Sequence, residues 1–351
     1  MASKVTLKKI AESLGMSTAT VSKALKDYPD ISSATKQKVK ELAEALHYKP
    51  NSFAQSLRTK QSKVIGLIIP EIVHHFFANI IKGVIDSAAE KGYLVIVLQS
   101  DESYENEKEQ IQMLVDKNVD GILLSLADTT IQFDHLKQTI NDGTRVVLYD
   151  KISKVINCSK VIINDQKAAF NATKFLIDSG CRKIAHVCGP LRPQTTIDRY
   201  LGYKKALEKN GLEFDSSLVF TIDRLTYEEG YETAAKIITS HPDVDGVFAF
   251  TDLVATGVLT GLKELGVSVP DQISIIGFSN WFLTKITSPK LTTVNQPGYD
   301  MGCEAFRLLH DEIVLNKEGT KIEHQIVEIP TEIVVRDSVK KNVVPNETDL
   351  S

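Results

Sequence analysis

The 351-residue chain has few cysteines and no long apolar run, and each shortage excludes a class of protein. Its four cysteines are scattered without a CxxC pair, so we expect reduced side chains rather than a disulfide framework or a zinc site. No apolar run reaches the roughly 18 residues that a membrane-spanning helix needs. The first residues contain no charged-then-apolar signal segment, and we therefore expect a cytoplasmic protein.

Catalytic and cofactor motifs are also missing. The sequence has no glycine-rich phosphate loop, no HExxH pair and no nucleophile elbow. The adjacent pair His74-His75 lacks a third ligand, which argues against a metal site. We therefore predict that the chain is not an enzyme and holds no cofactor or metal, although α/β folds host many enzymes.

Charge is unevenly distributed along the chain, whose net charge is −4. Residues 1–63 contain 12 lysines and arginines against 5 aspartates and glutamates, a net charge of +7, and the remainder has a net charge of −11. A basic N-terminal head attracts DNA, whereas an acidic body is repelled by it. This distribution indicates DNA binding that is confined to the head.

The segment from Thr6 to Lys26 is typical of a helix-turn-helix, which places a short helix in the DNA major groove. Thr6 and Ser17 are suited to cap two helices, and Gly15 is suited to the left-handed turn between them. The alternative interpretation is an ordinary helical hairpin with a glycine turn. On the outer face of the second helix, Lys23 can reach a phosphate or a guanine edge. The candidate DNA contacts are Thr6, Ser17, Thr18, Ala19, Thr20, Ser22 and Lys23.

A third helix near 34–47 completes the head, and Pro50 ends it. Residues 51–58 are compatible with a helix that is too short to be stable alone. They are either a plain linker or a segment that folds only when it pairs with its twin on DNA. In the second case Leu57 would wedge between base pairs in the minor groove and bend the duplex. The candidate contacts in this segment are Asn51, Ala54, Gln55 and Leu57.

From Lys63 onward, short apolar strands alternate with helical patterns, which is typical of a doubly wound α/β fold. The alternation runs through Tyr149 and then repeats from Lys160 to Phe278, which indicates two lobes with a cleft between them. Late strands near 325–329 and 332–335 are expected to form a pair. Residues 338–351 are polar, and we expect them to be disordered.

Ligands of open α/β sheets bind beyond the carboxyl ends of the strands. Carboxylates, amides, an arginine and aromatic rings follow the predicted strands, and they suit a polyhydroxylated ring. Each has a structural alternative: Phe76 in the core, Asp252 as a helix cap, Arg199 in a surface ion pair and Trp281 in interface packing. The candidate ligand contacts are His75, Phe76, Asp150, Arg199, Thr251, Asp252, Asn280 and Trp281.

Three long segments give a more specific indication: LKKIAESLGMSTATVSKAL, VKELAEALHYKPNSFAQSLRT and GVFAFTDLVATGVLTGLKELGVSVPDQISIIGF. They resemble the LacI/GalR family of bacterial transcription regulators, and the resemblance covers residues 4–337. It implies an all-α helix-turn-helix head (1–50), a hinge helix and linker (51–62), a two-lobed, doubly wound α/β core like that of periplasmic binding proteins (63–337) and a tail (338–351). It also implies discontinuous lobes, the first at about 63–160 plus 294–323 and the second at about 161–291 plus 324–337.

By this resemblance Thr18, Ala19 and Lys23 occupy base-reading positions, and Ala54, Gln55 and Leu57 lie on the hinge helix with Leu57 as the wedge. Arg199, Thr251 and Asp252 lie in or beside the effector motifs. Family members often have arginine where Lys23 stands, and lysine lacks the bidentate fork of arginine. Many have Ser-Asn-Pro at 73–75 and an aspartate where Ser279 stands. These departures shift the expected ligand contacts to Asn280 and Trp281.

The sequence therefore predicts a homodimeric repressor that binds a palindromic operator in double-stranded DNA. A small effector, a sugar or sugar derivative held between the lobes, would control it. The alternatives are a cytoplasmic sugar-binding or sugar-processing protein without operator control, and a DNA-bending protein without effector control.

Overall fold

The protein, described by a computed structural model over residues 5–48 and 61–341, forms two compact units, Met1–Ser62 and Lys63–Ser351. The first unit is the head, and the second is the core. The predicted hinge contacts Asn51, Ala54, Gln55 and Leu57 lie outside the described residues, so they remain predictions.

Within residues 5–48, the head forms the helices α1 (Leu7–Leu14), α2 (Thr18–Leu25) and α3 (Ser33–Ala45). Thr6 caps α1 by accepting a hydrogen bond from the Lys9 N–H at 3.3 Å, and Ser17 caps α2 by accepting one from the Thr20 N–H at 3.0 Å. Gly15 takes the left-handed conformation, with φ of 62°, that ends α1. These caps confirm the predicted helix-turn-helix. The small core of the head consists of Ile10, Ala11, Val21, Ala24, Val39 and Ala43.

The core alternates strands and helices, which are numbered here in chain order. Its first part contains β1 (Val64–Ile69), α4 (His75–Glu90), β2 (Leu94–Gln99), α5 (Tyr104–Asp116), β3 (Gly121–Leu124), α6 (Asp134–Asn141), β4 (Arg145–Tyr149) and β5 (Ser159–Ile163). Its second part contains α7 (Asp165–Asp178), β6 (Ile184–Cys188), α8 (Gln194–Lys209), β7 (Val219–Thr221), α9 (Tyr227–Ser240), β8 (Gly246–Ala249), α10 (Asp252–Glu264), β9 (Ser274–Phe278) and β10 (Thr292–Asn295). The chain then adds α11 (Gly298–Lys317), β11 (Ile326–Ile329) and β12 (Glu332–Val334).

The strands form two six-stranded sheets, one in each lobe. The first has the order β11-β5-β4-β3-β1-β2 with parallel pairing throughout, and the second has the order β12-β10-β9-β8-β6-β7. Only β12 of the second sheet runs antiparallel to its neighbour, β10. The inner strands are almost entirely apolar because helices cover both faces of each sheet. This arrangement is the predicted two-lobed, doubly wound α/β fold.

The chain crosses between the lobes three times: at Asn164, at 296–297 and at 330–331. The predicted lobe boundaries are therefore wrong at three strands. β5 and β11 pair with each other in the first sheet, although 161–163 and 324–329 were expected in the second lobe. β10 pairs in the second sheet, although residues from 294 were expected in the first lobe. The two late strands join different sheets and do not form a pair with each other, because hydrogen-bond partners distant in sequence decide where each strand is added.

The beginning of the predicted disordered tail is also ordered. The Ser338 hydroxyl accepts a hydrogen bond from the Thr292 N–H at 2.8 Å and donates one to the Ile275 carbonyl at 2.6 Å. Val339 is buried in the core beside it. The four cysteines are unpaired, and Cys158, Cys181 and Cys188 are buried as small apolar side chains. None of the helices in the described ranges combines the length and the apolar character needed to cross a membrane.

Candidate nucleic-acid interface and ligand site

The outer face of α2 presents the predicted base-reading side chains to solvent. Thr18, Ala19 and Lys23 are exposed, and Ser22 is half-buried. The hydroxyls of Ser17 and Thr20 lie 2.9 Å apart and belong to the helix cap, as does the Thr6 hydroxyl at the start of α1. We therefore expect these three hydroxyls to shape the helix ends, while the exposed face makes contacts outside the protein.

Lys23 is paired in this structure with an acidic residue of the following loop. Its Nζ donates to Oδ2 of Asp30 at 2.5 Å, and both side chains are about half-exposed. The hydrogen bond raises the pKa of the Lys23 ammonium and lowers the pKa of the Asp30 carboxyl. Lys23 therefore remains a cation, but a phosphate or a base would have to displace Asp30 to bind it.

Arg199, on α8, is the most enclosed of the predicted ligand contacts. Its Nε donates to Oδ1 of Asp165 at 2.7 Å, its Nη1 donates to the Phe250 carbonyl at 2.9 Å, and its guanidinium lies 3.6 Å from the ring centroid of Phe278. The ion pair is buried, not on the surface as the alternative interpretation assumed. Burial raises the pKa of Asp165 to about 6, although the charge of Arg199 opposes this shift.

Asp150, directly after β4, is joined to the second lobe through Gln296. Nε2 of Gln296 donates to Oδ1 of Asp150 at 3.1 Å, and its Oε1 accepts from the Ser279 hydroxyl at 3.2 Å. Gln296 lies on a crossing between the lobes, so one amide connects the ends of β4 and β9. Burial raises the pKa of Asp150, while the charges of Lys151 and Arg199 lower it.

Asp252 and Thr251 have separate roles at the start of α10. Thr251 caps the helix by accepting from the Val254 N–H at 3.2 Å, so the predicted alternative of Asp252 as the cap is wrong. Asp252 instead accepts from the Trp281 N–H at 2.7 Å and from the Thr293 hydroxyl at 2.6 Å. It therefore fixes the loop that contains Trp281. Burial raises the pKa of Asp252 to about 6.

Asn280 is oriented by two partners on neighbouring segments. Its Oδ1 accepts from Nη2 of Arg336 at 2.6 Å, and its Nδ2 donates to Oδ1 of Asn295 at 3.1 Å. Asp150, Ser279 and Asn280 all have positive φ, at 55°, 109° and 55°, a conformation that non-glycine residues rarely adopt. Such strain is concentrated at functional sites.

The two lobes meet directly through aromatic rings. His75, at the start of α4, stacks on Trp281 with centroids 6.1 Å apart and planes 14° apart. Phe76 is buried in the core, as its structural alternative proposed, and packs against Phe77 at 5.3 Å. Phe76 therefore packs behind the site, while His75 and Trp281 lie where the lobes meet.

A cleft of about 260 Å³ lies between the ends of β3 and β4 and the loop after β6. Lys151 lines one side of this cleft, and its Nζ donates to Oε1 of Glu102 at 2.5 Å and to Asp128. Burial raises the pKa of Glu102 to about 7. The residues along the opening are Asp128, Thr130, Lys151, Ser153, Lys154, Arg192 and Gln194.

Sequence reasoning missed several residues that hold the site together. Gln296 directly follows β10, so the rule that ligands bind beyond the carboxyl ends of strands applies to it as well. Asp165 follows β5 by two residues and was open to the same reasoning, whereas Arg336 lies beyond β12, after the main alternation. Over residues 5–48 and 61–341, no three histidine, cysteine or acidic side chains are grouped so that they could hold a metal ion.

Comparison with known proteins adds independent information. Residues 6–51 match the profile of bacterial regulatory proteins of the lacI family, and residues 173–339 match that of a periplasmic binding protein-like domain. Catabolite control protein A of Priestia megaterium is 35% identical over 337 residues, which is 96% of this chain and 99% of that protein. The ribose operon repressor of Halalkalibacterium halodurans is 33% identical over 95% of this chain and 97% of its own. A solved transcriptional regulator CelR–cellobiose complex aligns with a TM-score of 0.71 and 29% identity, over 95% of this chain and 100% of that one.

Proposed function

This chain belongs to the lacI family of bacterial regulatory proteins, and we propose that it is a homodimeric repressor controlled by a sugar. As a DNA-binding transcription regulator it reads a duplex through its head. In our proposal, α2 enters the major groove, where Thr18, Ala19 and Lys23 contact base edges or phosphates. Such a regulator acts where the chromosome is, and we therefore place it in the cytoplasm.

The observation that carries the proposed control is the convergence of ligand-type side chains from both lobes at the carboxyl ends of their strands. Asp150 and His75 belong to the first lobe, while Asn280 and Trp281 belong to the second. Carboxylate and amide groups bind ring hydroxyls, and an indole face packs against the carbon skeleton of a sugar. The names of two relatives, a ribose operon repressor and a cellobiose complex, support this ligand class.

The same relatives are named as regulators rather than enzymes, which supports a binding role for the cleft. In our proposal the bound sugar changes the angle between the lobes and thereby the spacing of the two hinge segments that precede Lys63. Ligand and operator are then coupled, and thermodynamic linkage requires each to change the affinity of the other by the same factor.

An apolar edge on the core supports the homodimer. β2 is the outermost strand of the first sheet, and its Leu94 is 63% exposed. Beside it lies a groove of about 350 Å³ lined by Val64, Leu94, Ile96, Leu98, Met113, Leu114 and Lys117. Exposed apolar edges are typically covered by a partner, and a second copy would bring the same patch to a two-fold interface.

Selection from a random pool of duplex DNA at near-physiological salt tests the proposal. We expect one roughly palindromic sequence to be enriched, and its affinity to change when ribose, cellobiose or other sugars are titrated. Failure to enrich any duplex would refute the regulatory function, and turnover of a sugar without a selected site would favour a sugar-processing protein. Enrichment without any response to sugars would refute only the proposed effector class.

A further inference from the structure

A buried polar atom where the two lobes meet has a hydrogen-bonding capacity that the described residues leave unused. Nδ1 of His74 is buried and has no hydrogen-bond partner among the described residues. His74 precedes α4 but makes no side-chain cap to it. An unsatisfied buried nitrogen costs about 1–3 kcal/mol, and such groups call for a specific explanation. A ligand that supplies the missing partner is one such explanation.

The ring of His74 is nevertheless held in place by residues of both lobes. It lies edge-on to Phe77 of the first lobe, with centroids 5.9 Å apart, and 6.0 Å from the ring of Trp281 in the second. The charges of Lys151 and Arg199 also act on it. His74 therefore lies where the lobes meet, beside the residues that we assign to the ligand.

His74 is uncharged at neutral pH. Burial, together with the charges of Lys151, His75 and Arg199, lowers its pKa to about 4. A neutral imidazole has one N–H donor and one acceptor nitrogen. Such a group can hydrogen-bond to a hydroxyl, which both donates and accepts. It carries no positive charge that could pair with an anion.

The neighbouring His75 shows the contrast. Its Nε2 lies 3.0 Å from the amide nitrogen of Asn79, one turn further along α4, so one of its nitrogens already has a partner. Its ring supplies a stacking surface to Trp281. Of the two histidines, only His74 therefore has a buried ring nitrogen without a hydrogen-bond partner among the described residues.

We propose that His74 determines ligand specificity by hydrogen bonding through Nδ1 to a ring hydroxyl of a sugar that packs against Trp281. This inference rests on the proposed function, because it requires the cleft to hold a sugar. It goes further by assigning the contact to one side chain, His74, and to one of its atoms, Nδ1. The wild-type protein would tolerate an unpaired nitrogen in the empty state in exchange for affinity in the bound state.

The test uses the full chain and its single tryptophan, Trp281, as a fluorescent reporter. Ribose, cellobiose and other neutral sugars are titrated into the wild-type protein, His74→Phe and His74→Asn, and melting temperatures without sugar are measured for all three. Phenylalanine keeps a ring beside Trp281 but removes both nitrogens. Asparagine removes the ring but returns a polar group near the position of Nδ1.

For His74→Phe we expect a melting temperature without sugar that is equal to or above that of the wild type, because an unsatisfied group is removed. We also expect an affinity about 5- to 150-fold lower for the sugar that the wild type binds, the equivalent of one lost hydrogen bond. His74→Asn should recover most of that affinity. His75→Phe is the matched control for stability, since it removes a satisfied nitrogen and should lower the melting temperature.

Unchanged sugar affinity in His74→Phe would overturn the inference and leave the proposed function intact. A lower melting temperature for His74→Phe without sugar, with no recovery of affinity by His74→Asn, would show a structural role and also overturn it. If no sugar changes the fluorescence or melting temperature of the wild type, the proposed sugar specificity fails and the inference fails with it.

Discussion

Gln296 donates a hydrogen bond from Nε2 to Oδ1 of Asp150 at 3.1 Å, and this contact joins a crossing between the lobes to the end of β4. The other end of the same amide accepts from Ser279 after β9. Gln296 thus connects both lobes through Asp150 and Ser279, two residues that have positive φ. A change in the angle between the lobes would have to stretch or replace one of these bonds, which makes Gln296 a natural position for coupling.

Replacement of Gln296 by leucine should leave the buried Asp150 carboxylate without its donor. We expect the core to lose about 1–3 kcal/mol of stability, the cost of an unsatisfied buried group, and the effect of ligand on operator affinity to weaken. Denaturant titration and operator binding with and without sugar measure the two effects. As a control, Gln112→Leu removes an exposed glutamine–aspartate bond on α5 and should change stability by less than about 0.5 kcal/mol. Equal effects of the two substitutions would contradict the prediction.

Substitution of Arg199 by alanine should destabilise the core strongly, because Asp165 would remain as an unpaired buried charge. Breaking such a pair costs about 3–5 kcal/mol. Arg307→Ala is the control, since Arg307 forms exposed ion pairs with Glu304 and Asp311 that contribute less than about 1 kcal/mol. Calorimetric unfolding measures the stability of both variants. A loss of stability for Arg199→Ala no larger than that of the control would show that the buried ion pair does not stabilise the core.

The raised pKa of Asp252 predicts a pH dependence of stability. Its folded pKa is about 6, above an unfolded value near 3.9, so its contribution to stability is present below pH 4 and is lost as the pH rises through 6. Compared with Asp252→Asn, the wild type should therefore lose on the order of 3 kcal/mol between pH 4 and pH 7. Unfolding of both proteins across this range tests the prediction, and parallel pH profiles would refute it.

Lys23→Ala should relax base preference at the operator if Lys23 reads a base. If preference is unchanged and only the salt dependence decreases, Lys23 contacts a phosphate instead. Asp30→Asn removes the carboxylate that pairs with Lys23 in the free head. It should increase the affinity for DNA by no more than about fivefold. Gel-shift titrations over a range of salt concentrations on the selected operator measure both variants.

Leu57→Ala tests the hinge, which lies outside the described residues. We expect weaker operator binding and reduced bending, because the minor-groove wedge would be lost. Circular-permutation gel shifts report the bend. A variant that binds and bends DNA as the wild type does would exclude the wedge.

Features encoded by neighbouring residues could be predicted from the sequence. The caps at Thr6 and Ser17 and the turn at Gly15 follow from side chains within three residues of each helix end. The alternation of strands and helices likewise predicted two doubly wound lobes. By contrast, periodicity does not reveal which sheet receives β5 or β11, because this depends on hydrogen bonds between residues as distant as Lys160 and Ile326.

The same distinction applies to the candidate site. The rule that ligands bind beyond the carboxyl ends of parallel strands led to Asp150, Asp252 and Trp281, since these ends all lie at one edge of the sheet. It did not reveal that Arg199 is paired with Asp165, because that carboxylate begins a helix 34 residues earlier. Arg336 was missed for a related reason, since its partner Asn280 is 56 residues away.

The discontinuity of the lobes also determines the order in which a newly made molecule is completed. Domains form from the N-terminus as the ribosome releases the chain, and helices α1 to α3 have all emerged once Ala45 is released. The first sheet must wait for β11, at Ile326–Ile329, and the second must wait for β12. During most of translation the nascent chain thus contains helices α1 to α3 together with two incomplete sheets. No uninterrupted stretch of the gene encodes either lobe whole.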